Sequence, residues 1–200
     1  MYGLVRMVLG ISVFLVVFFL VRRTSILRKR MICAITATAV LLAVVLSIFV
    51  PFENLLFTFS SPESAYRYYH SDVRDIEMVV TGESCDLVIG NQNQKDVLMI
   101  LPKDDKGWKL ASAMDTKLIA HTVSNGTAIS VYEFKNSDDY FVTVLSLPGD
   151  VHEISDSLGS MFAYRDGTVS GYYANIHGWC HDYTLTINDT VVSFYEVRYE

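Results

Sequence analysis

The chain has 200 residues, 51% of them hydrophobic, and a formal net charge of −6. That charge is the sum of two opposed parts. Residues 1–50 carry six basic side chains (Arg6, Arg22, Arg23, Arg28, Lys29 and Arg30) and no acid. Residues 51–200 carry the other ten basic residues and all 22 acids, which leaves them at −12. An acidic half of this kind repels phosphate backbones and argues against nucleic acid as a partner. Its length suits one ordinary domain with its own core.

In chain order, the first element is an apolar run over residues 2–21, interrupted only by Arg6 near one end, where a long side chain can snorkel. A second run, 31–50, has no charged residue, and Pro51 closes it. Each is close to the ~20 residues needed to cross a bilayer. The 22–30 loop between them holds five of the six basic residues. Short basic loops stay cytoplasmic, so the expectation is a two-helix transmembrane hairpin over 1–50, with both termini outside and the lipid bilayer as a partner. A signal peptide in place of one helix is the alternative. Against it, the second run exceeds the usual ~7–15 residues of an h-region and no A-x-A-type cleavage site follows it.

Residues 51–75 read as a connector with one short helix near 62–72. Ser61 suits the cap, Pro62 the first turn and Glu63 the positive end of the helix. From 76 to 200 the pattern is β, rich in Val, Ile, Tyr, Phe and Thr. Strands are expected at 76–81, 84–90, 96–101, 107–112, 117–123, 127–135, 140–147, 160–164, 168–176, 183–188 and 191–199. Asn125-Gly126 and Asp166-Gly167 are favoured type I′ turn pairs, and 104–107 and 148–150 also reverse the chain. In the last strand Val191, Ser193, Tyr195, Val197 and Tyr199 share one face. The expected fold is an antiparallel meander or sandwich-like, mainly-β extracytoplasmic domain behind two transmembrane helices.

The densest polar cluster is His177-Gly178-Trp179-Cys180-His181-Asp182. His177, Cys180 and His181 are candidate metal ligands, with Asp182 a fourth, but no second C-x-x-C or H-x-x-x-H pair accompanies them. Cys180 beside His181 has the inventory of a thiol enzyme, yet neighbours on a strand point to opposite faces. The ordinary reading is a structural loop with no catalytic residue and no cofactor. Cys33 falls in the second apolar run, so Cys85 and Cys180 are the exported cysteines; they are a candidate disulfide, and two separately buried thiols are the equal alternative. The acidic pairs Asp104-Asp105 and Asp138-Asp139 sit at expected hairpin ends and read as solvated turns, not as Ca²⁺ loops. N-x-T sequons occur at Asn125 and Asn188.

The stretches Ser61-Pro62-Glu63-Ser64-Ala65-Tyr66-Arg67-Tyr68-Tyr69, Gly107-Trp108-Lys109-Leu110 and Tyr183-Thr184-Leu185-Thr186-Ile187-Asn188 resemble a loose group of uncharacterised membrane-anchored proteins of Gram-positive bacteria. The resemblance implies an exported β-rich domain behind an "SPE-A-YY" helix; it carries no assigned activity. The function expected is a membrane-tethered, non-catalytic binding or interaction module with a membrane or cell-surface protein as partner. One alternative is an accessory subunit of a membrane complex, contacted through small-residue faces at Gly10 and Ser12 or at Ala34, Ala37 and Thr38. The other is an enzyme or metal site around 177–182.

Overall fold

The computed structural model describes residues 2–23, 27–49, 51–73, 75–92, 95–112, 114–178 and 182–194. In the first two helices, side chains are described at 8, 10–23 and 31–42.

Helices α1 (Tyr2–Arg23) and α2 (Leu27–Phe49) form a hairpin. Gly10, Val13, Val17, Ala37 and Val40 line the space between them, and Val17 is buried. The hydroxyls of Ser12, Thr36 and Thr38 donate to the carbonyls four residues back, at Val8, Ile32 and Ala34. Gly10 and Ala37 thus lie where the two helices face each other. Phe14, Val16, Phe19, Ile35 and Leu41 remain exposed.

Among the described residues, no helix is long and apolar enough to cross a membrane. The two-pass expectation, with spans over 2–21 and 31–50, termini outside and a cytoplasmic 22–30 loop, is corrected accordingly. Charge falls within both helices: α1 contains Arg6 and ends on Arg22 and Arg23, and α2 opens with Arg28, Lys29 and Arg30.

The remainder is mainly β and antiparallel, as the sequence pattern predicts. Sheet I has the order β1 (Asp75–Thr81), β2 (Cys85–Gln92), β3 (Lys95–Asp104), β4 (Gly107–Trp108). Sheet II is built from β5 (Thr116–Ser124), β6 (Thr127–Phe134), β7 (Asp139–Ser146), β10 (Ser170–His177) and β9 (Ala163–Arg165), in that order. Sheet III has the order β12 (Thr190–Ser193), β11 (Thr184–Ile187), β8 (Ile154–Asp156). Side-chain alternation stacks the sheets. In β2, Cys85, Leu87 and Ile89 pack on Phe134, Phe141 and Tyr173 of sheet II. On the opposite face, Val88 joins Leu101 and Leu110 under Ala65 and Tyr66 of α3 (Pro62–Tyr69). The far face of sheet II, with Ile129, Val131, Val142 and Val144, packs on Leu185, Ile187 and Val192 of sheet III. The order of layers is α3, sheet I, sheet II, sheet III. Sheet I has apolar cover on both faces, which explains why β2 is a nearly unbroken apolar run rather than an alternating one.

Local chemistry sets the boundaries. Ser61 accepts from the Ser64 N–H at 3.2 Å and Ser64 Oγ accepts from the Ser61 N–H at 3.3 Å, a reciprocal capping box. The helix stops at Tyr69, short of the expected 72, and Tyr66 is its buried anchor; its hydroxyl donates to the Val97 carbonyl at 2.9 Å. Asn125 and Gly126 both have positive φ, as the type I′ pair requires. Asn188-Asp189 forms a second turn of that kind, with φ of 45° and 63°. It sets Leu185 opposite Val192, so Val192 is buried while Val191 is exposed. Asp166-Gly167 has no positive φ; there the Asp166 carboxylate accepts from the Gly167 N–H instead. The expected strand 107–112 is only two residues long, because Leu110 gives its N–H and C=O to the Asn54 side-chain amide at 2.9 and 2.8 Å. Residues 195–199 of the expected last strand lie outside the described residues.

Candidate functional site

Sequence-based candidates point first to His177, at the end of β10. Its Nδ1 lies 3.7 Å from Glu83 Oε2 and 3.9 Å from Asp139 Oδ1. Cys180 and His181 lie outside the described residues, so the cluster proposed from 177–182 is represented by His177 and an exposed Asp182. Cys85 is fully buried and is a free cysteine among the described residues; the candidate Cys85–Cys180 disulfide falls on Cys180, outside them. Among the described residues, no group of three or more metal-ligating side chains is assembled.

What the sequence did not reveal is that Cys85, Ser84, His177 and Asp139 converge. Asp139 opens β7 and is 1% exposed, in contrast to the solvated turn expected for the 138–139 pair. Its Oδ1 accepts from the Glu83 N–H at 3.0 Å and the Asn175 amide at 3.3 Å. Its Oδ2 accepts from the N–H groups of Ser84 and Cys85 at 2.6 and 3.1 Å and from Ser84 Oγ at 2.8 Å. Gly82 permits this approach, since a Cβ there would stand 2.8 Å from Asp139 Cγ and 2.6 Å from the Cys85 carbonyl oxygen. Burial alone would raise the Asp139 pKa. The peptide N–H groups of Glu83 and Ser84, aided by the Ser84 hydroxyl and Asn175, hold it at about 2.

The same constellation disables the thiol. Burial, with the Asp139 carboxylate 3.6 Å from Sγ, pushes the Cys85 pKa up to about 12, with Ser137 only partly opposing. A nucleophilic cysteine needs the opposite environment. Cys85 is therefore a protonated core side chain that donates to Asp139, and the cluster is a lock joining the β1–β2 turn of sheet I to β7 and β10 of sheet II. A second lock joins these sheets where Arg165 of β9 pairs with Glu77 of β1 and Asp96 of β3, and the Tyr173 hydroxyl donates to Asp96 at 3.1 Å.

A cleft borders the core these sheets share, at the β3 side of sheet I. Leu87, Leu98 and Ile100 of sheet I face Thr116 and Tyr132 of sheet II across this space of about 400 Å³. Tyr69 and His70 from the end of α3 and Ala111 and Ser112 from the crossover between sheets complete its wall. The local chain explains why it is open. Lys109 continues the β4 ladder by donating to the Pro102 carbonyl at 2.9 Å, and Leu110 then departs to Asn54. Nothing in the described sheet order pairs with the outer edge of β3 before Lys103. His70 is packed between Tyr66 and Tyr69, with ring centroids at 5.0 and 4.8 Å. Burial lowers its pKa, against the pull of Asp72, so its imidazole is neutral near pH 7. The cleft draws on segments from 69 to 132, and no short motif marks it in the sequence. No protein-family model, no characterised protein and no solved structure matches the chain.

Proposed function

We propose that this protein is a non-catalytic binding module whose ligand enters the cleft between sheets I and II. The carrying observation is the cleft itself. It is concave, lined largely by aliphatic and aromatic side chains, and within the ~300–1,000 Å³ range of small-molecule sites. The reading without catalysis is supported by the Cys85 environment, in which the buried nucleophile is held as a thiol beside a carboxylate. The test is a ligand-observed NMR fragment screen on the full-length protein. Hits should compete with one another and be lost in Ala111→Phe, which fills the cleft. A screen whose hits ignore that substitution removes the proposal.

A second reading is favoured by one observation. The Lys103 N–H donates across to β2, at the Ser84 carbonyl, whereas the Pro102 carbonyl accepts on the opposite side from Lys109. By alternation the backbone groups of Leu98 and Ile100 also face away from β2, along the stretch that β4 does not reach. Such an edge accepts an added strand, and the cleft would then receive the side chains of a partner protein. Amide hydrogen exchange separates the two: a small ligand leaves the Leu98 and Ile100 amides unprotected, an added strand protects both.

A further inference from the structure

Resting on the reading of the cleft as a binding site, we infer that its ligand is a small uncharged molecule with an aromatic or alicyclic body and a hydrogen-bonding group. Charge is the first argument. Among the described residues, no titratable group of ordinary pH range apart from His70 lines the cleft, and neither a carboxylate nor an ammonium or guanidinium does. A buried ligand charge without a partner would carry a desolvation cost of several kcal/mol. An anion would also meet Asp72, the carboxylate whose field reaches His70, and a domain at −12. A cation would find no carboxylate among the described wall residues to replace its water.

Shape and polarity supply the second argument. Leu87, Leu98, Ile100 and Ala111 offer flat aliphatic contact, which suits a rigid ring system better than a long flexible chain in about 400 Å³. The polar lining residues are Tyr69, His70, Ser112, Thr116 and Tyr132. The His70 ring, neutral because it is buried, both donates and accepts, and the Thr116 and Tyr132 hydroxyls stand on the sheet II side. A hydroxyl, phenol or amide on the ligand satisfies these groups without introducing charge.

The test uses two dyes that share their rings and differ in charge. Full-length protein is titrated with N-phenyl-1-naphthylamine, which is neutral, and with 1-anilinonaphthalene-8-sulfonate, an anion. Ala111→Phe and Thr116→Phe each fill the cleft from a different wall. Circular dichroism checks that each variant keeps its fold, and either one suffices if the other unfolds. Fluorescence that both variants retain belongs to other apolar surfaces, the α1–α2 hairpin included, and is subtracted. The expected result is a saturable neutral-dye signal abolished by the filling substitutions, with the anion at least roughly tenfold weaker at that site. Equal affinity of the two dyes at the filled-in site overturns the uncharged-ligand inference and leaves the binding module standing. No substitution-sensitive signal from either dye overturns both.

Discussion

Replacing Asp139 by Asn tests the lock that joins sheets I and II. The carboxylate accepts five hydrogen bonds from Glu83, Ser84, Cys85 and Asn175, at 2.6 to 3.3 Å, in a site 1% exposed. An amide keeps one acceptor and turns the other into a donor facing N–H and O–H groups. Stranding donors that had a charged acceptor costs on the order of 3 kcal/mol, or roughly 6–12 °C in Tm for a chain of this size. Linkage adds a signature that simple loss of packing does not share. The folded pKa of about 2 lies below the ordinary 3.8, so the contribution is fully present above the unfolded value and lost as pH falls through the folded one. That contribution is about 2 kcal/mol, and the variant lacks it. Guanidinium unfolding of wild type and Asp139→Asn at pH 7 and pH 2 should therefore give a gap that narrows by about 2 kcal/mol in acid. A gap of the same size at both pH values would refute the charged-acceptor argument.

Cys85 should resist a thiol reagent in native protein at pH 8 and react once guanidinium unfolds the domain, because burial holds it as the thiol; native-state labelling at the rate of a free cysteine would contradict this. Gly82→Ala should destabilise by more than a helix-surface substitution, since its Cβ collides with the Cys85 carbonyl and Asp139, and a Tm within 2 °C of wild type, read by calorimetry on the roughly 2–4 °C per kcal/mol scale, would show that the turn has slack. Ser61→Ala removes the cap of α3 and should cost about 1 kcal/mol in chemical denaturation, with Ser61→Asp restoring most of it. Burial of His70 as the neutral ring should make stability fall as pH drops through its unfolded value near 6.5, and His70→Gln should flatten that limb of the profile; an unchanged limb would locate it elsewhere.

How much of this was legible depends on the range of the interactions involved. Ser61 and Pro62 marked the helix start because capping is local, and Asn125-Gly126 marked its hairpin because both residues must adopt positive φ. Most strands followed from composition and period. The end of β4 was not legible, because Asn54 takes over the Leu110 backbone from 56 residues away. Strand β8 is three residues of mixed polarity, and its place depends on pairing with β11. Asp139 looked like any turn carboxylate, since the N–H groups that bury it come from 83–85. Asn188 read as a sequon, yet its side-chain oxygen accepts from the His152 and Glu153 N–H groups at 2.8 and 3.2 Å. The apolar content of residues 1–50 read as two membrane crossings, whereas no described helix meets that requirement. The cleft left no mark because it is a gap between layers.

Methyl-resolved NMR of the full-length protein during titration with N-phenyl-1-naphthylamine tests the central claim most directly. Binding in the cleft predicts saturating shifts at the methyls of Leu87, Leu98, Met99, Ile100 and Ala111, with Val142, Val144 and Leu185 on the far side of sheet II unmoved. Shifts confined to α1 and α2, or none in the Leu87–Ala111 set, would contradict it.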